Sequence, residues 1–478
     1  TKTSPDENHD TPHMANLLNG IVITPASGGS MLFLHTLENM KSLRGDISRT
    51  FVIGKTKHDV QVGGSSIFRE RTFTARLLGY SYYTKGISVL PNGTLAALDD
   101  ETIFSQNNLG IVNGPGKYDG GFMVVESTTP SDSYHAFSYT NAGYLMLDSR
   151  FFDSKLRFVY GARYESYRQV FNNPSLAKDT VVNDILPSIN AVYGVTQKIN
   201  IRAAYYRTVA RPEFRELAPF QFQGFTTQLV ISGNPDLKRS LMDNYDLRFE
   251  WFPNAGQIVS LSGFYKNIDN AIEQVVDLGA AGGFAVTYAN AKSARNVGAE
   301  LEVRFKLSSF THNGDSSRFL SSTTIFANCA YIQSQVDNSN SIGSTIRPLQ
   351  GQSPYIINAG VQYLDEKSGW GAAVSYNLIG RRIIIVGGAT NPTIWENPRH
   401  VLDFQISKSI KKFDIKLNLR DALAQNLVLY QDMDENGKFT KGSIEESKKQ
   451  AHSYSYDNIF ANTKLSPTLS LSLTYRFF

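Results

Sequence analysis

The sequence predicts an all-β protein, a transmembrane antiparallel β-barrel of the outer-membrane type, on three observations. Side chains alternate between apolar and polar in many segments. The connections between those segments are of two unequal lengths that take turns. No window holds the roughly 18 to 20 continuous apolar residues that a spanning helix needs. A barrel strand shows its apolar face only at every second residue, so a hydrophobic content of 41%, with 24 Tyr and 29 Phe, is compatible with insertion.

The last segment displays the alternation best. Leu469, Leu471, Leu473, Tyr475 and Phe477 take one face, and Ser470, Ser472, Thr474 and Arg476 the other. Leu156, Phe158 and Tyr160 stand likewise against Arg157, Leu247 and Phe249 against Arg248, and Leu301 and Val303 against Glu302 and Arg304. A soluble β-sandwich would also alternate, but it has no reason to sort its loops. Here short connections near Phe151–Ser154, Val195–Lys198, Phe252–Gln257, Leu364–Gly369 and Lys408–Lys412 alternate with long ones near Tyr83–Tyr134, Val209–Arg239, Ile268–Ser293 and Gln431–Thr463. Short turns on the periplasmic rim and long loops outside is the asymmetry of outer-membrane barrels.

About fifteen strands can be placed, the first near Met31–Val52 and the last near Leu465–Phe478. An odd number leaves an edge, and an unpaired backbone in hydrocarbon costs several kcal/mol per group. The expectation is therefore about fifteen strands of a barrel of about 22, with the amino-terminal strands and a plug lying outside this chain. Residues 1–30 are expected to be a polar extracellular loop segment and residues 31–478 the transmembrane barrel.

Several chemistries are unsupported. Cys329 is the only cysteine, which excludes intrachain disulfides and multi-thiolate metal sites. The net charge of +4 is small and dispersed, which argues against nucleic acid as a partner. The run Gly110–Lys117 is one residue too long for a phosphate loop, and Tyr118 stands where Ser or Thr is needed. Asp432, Asp434, Asn436 and Gly437 match half a calcium loop, but Ser443 occupies the position of the bidentate Glu. His9 and His13 are separated by Pro12, which breaks the helix that would align them. Glu300 and Glu302 read as lumen-facing positions, not as a catalytic pair. No catalytic residue, metal or cofactor is expected.

Longer stretches carry a resemblance. These are Asp184-Ile-Leu-Pro-Ser-Ile-Asn190, the run Asn200–Pro219 containing Ala-Arg211-Pro-Glu-Phe-Arg-Glu-Leu, Gly233-Asn-Pro-Asp-Leu-Lys238, Arg347-Pro-Leu-Gln-Gly-Gln-Ser-Pro-Tyr355, Glu396-Asn-Pro-Arg399 and the aromatic end. In this order and spacing they resemble the barrel of TonB-dependent receptors, particularly those of Bacteroidetes-type bacteria, over roughly Val60 to Phe478. One departure is Arg239-Ser240, where many relatives have Pro-Glu.

The resemblance implies a bacterial outer-membrane receptor that imports a scarce nutrient and is not an enzyme. Its partners would be outer-membrane lipid, the barrel-assembly machinery, an unknown small ligand, and a TonB-type energising protein acting through a plug absent from this chain. Prolines end the alternation after Arg207, so Arg211, Glu213, Arg215 and Glu216 sit where a strand leaves the membrane and are the ligand-binding candidates on the extracellular rim. Tyr475, Phe477 and Phe478 resemble the assembly signal of such barrels, although Phe478 falls one residue out of step. The alternatives are a porin-like passive channel and a barrel-anchored surface structural or assembly protein.

Overall fold

The computed structural model describes residues 5–6, 9–12, 31–54, 56–83, 121–126, 128, 132–223, 230–277, 285–310, 317–337, 346–388, 391–433, 437–440 and 457–477. The phosphate-loop-like run, His13, Asp434, Asn436, Ser443 and Phe478 lie outside the described residues, as does most of the segment 1–30.

Period-two alternation becomes an antiparallel meander of long strands. The first five are β1 (Met31–Ile53), β2 (Thr56–Tyr83), β3 (Tyr134–Phe151), β4 (Leu156–Asn173) and β5 (Leu176–Thr196). Then follow β6 (Ile199–Ala210), β7 (Ser240–Trp251), β8 (Ile258–Asp277), β9 (Ala285–Lys306) and β10 (Thr323–Asp337). The last are β11 (Tyr355–Asp365), β12 (Trp370–Ile379), β13 (Arg399–Ile410), β14 (Phe413–Arg420) and β15 (Thr468–Tyr475). Each pairs with the next in sequence. Four short strands extend this sheet to nineteen. Arg382–Ile385, Ile394–Glu396, Leu427–Gln431 and Asn458–Thr463 form a separate four-stranded sheet, tied to β8 by backbone bonds between Val386 and Gln274 and Val276.

The connections fall on two rims. One carries tight turns such as 411–412 and 366–369, with a helix at Arg318–Ser322 as its longest insertion. The other carries the long connections, with a two-residue turn at Pro174–Ser175 as its exception. The long connection expected from Ile268 to Ser293 is mostly strand, since pairing continues from Asp269↔Ser293 to Asp277↔Ala285. The reason is burial. Ala271, Val276, Val286, Ala291 and Ala294 find apolar partners there, which rewards continued pairing well past Ile268.

The distribution of polarity is the reverse of a soluble core. Tyr245, Leu247, Phe249 and Trp251 on β7 are exposed, in rows with Ile201, Leu261 and Leu301. The intervening positions carry buried polar groups, including Asp148, Glu165, Asp184 and Glu250. A charge facing the interior needs a partner, and these have them. Arg157 holds Asp148 at 2.6 Å, Arg202 holds Glu250 at 2.7 Å, and Arg248 donates to Glu250 at 3.0 Å and to Glu302 at 2.7 Å.

The sheet curls. Phe73 and Ala75 of β2 share one apolar cluster with Tyr288 of β9, although six strands separate them in the meander. A flat sheet would hold them roughly 30 Å apart at ordinary strand spacing. Proline fits where pairing changes: Pro187 of β5 is in register with Ala162 of β4, while the register with β6 starts one residue later, at Ser188. The end strands differ from the rest. β1 has a register with β2 and β15 with β14, no register joins β1 to β15 among the described residues, and Leu43, Ile47 and Leu471 are 76, 81 and 71% exposed.

Glu250→Ala should destabilise the protein by about 1–3 kcal/mol, because it leaves two inward guanidinium groups without their shared acceptor. Urea unfolding in micelles, followed by circular dichroism, measures this.

Candidate functional site at the long-loop rim

The connection from β6 to β7 starts with Pro212, whose missing N–H cannot continue the ladder. It turns into a single-turn helix, α1 (Phe214–Leu217). The Glu213 backbone N–H donates to the Glu216 carboxylate at 2.9 Å, which satisfies an amide that the short helix leaves over. Phe214, Leu217, Ala218 and Phe220 are buried against Phe73, Tyr134 and Phe171 on the inner wall. The chain returns through Gly233, whose N–H donates to the Ala218 carbonyl at 2.8 Å; a Cβ at Gly233 would collide with that carbonyl, so only glycine permits the approach. The Asn234 side chain then donates to the Tyr288 carbonyl of β9 at 2.9 Å. The described parts of the connection thus fold inward onto the wall.

The structure brings two of the quoted segments, and the residue that follows a third, to one carboxylate. Asp184 of β5 is buried and accepts from Arg211 at 2.8 Å and from Arg239 at 2.7 Å. Arg211 also reaches Glu165 at 2.9 Å, and its guanidinium lies 4.6 Å from the centre of the Tyr167 ring. Arg239, the departure from the family pattern, takes one oxygen of Asp184. A second such clamp joins Arg347 to Glu273 of β8 at 2.7 Å, with the Glu273 side chain only 2% exposed, and the Gln350 N–H donates to the same carboxylate at 2.9 Å. Glu396 takes Arg382, and Arg399 takes Asp421.

The four expected rim residues therefore lie within one inward-folded turn, with unequal freedom. Arg211 is held on two carboxylates, Glu213 pairs with Arg69 of β2 at 2.8 Å, and Glu216 caps its own helix. Arg215 is exposed. Burial pushes the Glu216 carboxyl above its ordinary value. Sequence reasoning missed Asp184, Glu273 and Tyr167 as members of the site. A charged residue at a strand position announced only that it faces inward, not which loop it would meet. Asp432, in the calcium-loop-like run, is held by Arg381 at 2.8 Å. At the other end, Tyr475 packs against Phe413 at 4.9 Å, and Phe477 lies edge-on to Tyr475 at 5.0 Å.

A cavity of about 430 Å³ opens beneath the turn 233–238. Phe171, Leu176, Val182 and Leu237 give it apolar walls, and Lys178, Arg211, Lys238 and Arg239 bring charge to it.

Asp184→Ala should cost about 3–5 kcal/mol, the scale for stripping a buried partner from paired charges. It should also render the connection 211–239 cleavable by added protease. The raised pKa of Glu216 means that its contribution to stability is full below the ordinary value of 4.5 and is lost as pH rises through the raised value. Glu216→Gln should flatten the acid-side pH dependence of protease resistance in that connection while keeping the cap.

The solved structures most similar in shape include the ferric citrate transporter FecA in its unliganded form, with a TM-score of 0.57, 13% identity, and 94% of this chain covered against 56% of that one. The ferric-catecholate import receptor Fiu from K12 E. coli follows at 0.57 and 14%, covering 92 and 55%. The siderophore receptor PiuA from Acinetobacter baumannii stands at 0.56 and 12%, covering 92 and 56%. The chain thus spans a little over half the length of these structures, and identities so low speak for the fold alone. No curated protein matches it by sequence. Residues 36–427 match the family described as TonB dependent receptor-like, beta-barrel, a span that holds the inward-folded connection and both buried clamps, and the chain belongs to that family of receptor barrels.

Proposed function

We propose that this chain is the barrel of an outer-membrane TonB-dependent transporter, which takes up a scarce nutrient by binding it at the long-loop rim. The observation that carries the reading is the match of residues 36–427 to the family barrel. An outward face of exposed Leu, Phe, Tyr and Trp over an inward face of paired charges supports placement in a bilayer. Arg211, Glu213, Arg215 and Glu216 belong to the rim where ligand would be bound, with Glu213 and Arg215 the two that are exposed. Tyr475, Phe477 and Phe478 would serve recognition by the assembly machinery. Strands and a plug from beyond these residues would complete the barrel beside β1 and β15, because an exposed ladder edge in hydrocarbon leaves amides and carbonyls unsatisfied. The energising protein would act through that plug.

Ferric citrate, ferric catecholates and copper are the first compounds to try, since they name the cargo of structurally similar proteins. In cells with and without the full-length gene, uptake at nanomolar concentration should depend on the gene and collapse when the proton gradient is dissipated. Gene-dependent uptake that survives dissipation would overturn the reading in favour of a passive channel. Gene-independent uptake of every compound would favour a surface anchor. Placement in the bilayer has its own check: Phe249→Arg should destabilise the vesicle-inserted protein by about 2–4 kcal/mol if it lies near the midplane, and Leu247→Arg comparably.

A further inference from the structure

The outward face of β6 to β10 is layered in register. Arg207, Asp243, Asn267, Arg295 and Gln335 stand opposite one another in a single row across the five strands. In the next row toward the tight turns lie Tyr205, Tyr245 and Tyr265, with successive ring centres 5.0 and 6.0 Å apart. Apolar positions follow. On β9 these are Val297, Ala299, Leu301, Val303 and Phe305, and the run from Val297 to Phe305 has the roughly nine residues with which a tilted strand crosses hydrocarbon. The row that holds Arg295 therefore stands at the level of lipid headgroups.

Charge on the outward face is unevenly answered. Arg207 is held by Asp243 at 2.8 Å, Arg168 by Asp179 at 2.6 Å and Arg76 by Glu126 at 2.9 Å. Arg295 instead puts its Nε and one terminal nitrogen on the amide oxygen of Gln335, a neutral acceptor, and among the described residues no carboxylate pairs with it. That bond fixes the guanidinium over the outward face between β9 and β10. A recess of about 530 Å³ opens there, lined from outward positions by Tyr265, Asn267, Ser293, Arg295, Gln335 and Asp337. Asp337 lies in the next row toward the loops and has Lys292 at 3.9 Å. Toward the tight turns, Leu247, Gly263, Ala299 and Tyr331 share a row. Leu247 and Tyr331 are 60 and 66% exposed, and the two small residues between them leave a shallow trough in the apolar face.

A phosphate-bearing membrane lipid has the matching order, an anion at headgroup level with hydrocarbon directly beneath it. We infer that this patch of β8, β9 and β10 binds one such lipid, its phosphate on the Arg295 guanidinium with Asn267 and Tyr265 as further donors, and an acyl chain in the trough over Gly263 and Ala299. A neutral lipid would leave the guanidinium without a counter-charge at the edge of a low-dielectric layer. A soluble anion would leave the trough bare. The inference goes beyond the transport reading and rests only on its placement of the outward face in a bilayer.

The test is native mass spectrometry of the whole protein in non-ionic detergent, titrated with three probes. These are dioleoyl phosphatidate, dioleoylglycerol, which has the same chains and no phosphate, and glycerol phosphate, which has the phosphate and no chains. One retained phosphatidate per chain is expected, preferred over dioleoylglycerol by at least about tenfold, the scale of one charge-assisted hydrogen bond. Glycerol phosphate at equal concentration should not displace it. Arg295→Gln should abolish the preference, whereas Arg168→Gln, at an arginine already answered by Asp179, should leave it intact. Gly263→Leu should weaken phosphatidate binding by filling the trough, and its Cβ meets nothing closer than the Gly298 carbonyl at 4.0 Å. Circular dichroism establishes that each variant keeps its β-structure, and Arg295→Gln carries the test if Gly263→Leu does not fold. No preference for phosphatidate, equal losses in the two arginine variants, or displacement by glycerol phosphate overturns the proposal. Insertion into vesicles is scored separately, so a protein that inserts without selecting phosphatidate fails this inference alone.

Discussion

The constraint on which this structure depends is that a strand shows opposite faces at successive residues while its backbone must remain paired along its whole length. With apolar rows turned outward, every intervening polar side chain is turned inward, and the interior must neutralise what it receives. The wall does so residue by residue. Asp148 is answered by Arg157, and Glu250 by Arg202 and Arg248 from neighbouring positions on the same inner face. Arginine suits this task because its planar fork can serve two acceptors while its stem packs along the wall.

At the long-loop rim the same requirement does more than balance charge. The β5 wall presents a buried Asp184, and the two guanidinium groups that answer it come from opposite ends of one connection, Arg211 where the chain leaves β6 and Arg239 where it enters β7. Fixing both ends determines where the intervening chain can go. Its described part lies inward, with Phe214 and Leu217 in an apolar cluster that β2, β3, β4 and β9 all help to build. Glu273 and Arg347 repeat the device for the connection that precedes β11. Segments that look like independent motifs along the sequence are therefore halves of the same clamps.

This arrangement has a consequence for binding. Beneath the part of this connection that returns to β7 a space is left, lined both by charged groups, Arg211 and Arg239, and by apolar ones, Phe171 and Leu237. Function at such a rim comes from loops carried on a rigid scaffold. Here the scaffold also supplies part of the lining, since Phe171, Leu176 and Val182 belong to strands.

The sequence by itself determined the all-β class, the opposite facing of neighbouring residues in the segments where alternation is clean, and the existence of short and long connections, because those are set by local periodicity and turn chemistry. Residues such as Leu247, Arg248 and Phe249 could be assigned to faces from their neighbours alone. Only the tertiary structure decided that the run beyond Ile268 stays paired, that Arg211 meets Asp184 and Glu165, and that a cavity lies under the turn 233–238. The physical reason is distance along the chain. Asp184 and Arg239 are far apart in sequence, and no local pattern states which of many inward arginines will reach a given carboxylate until the sheet has curled and brought them together.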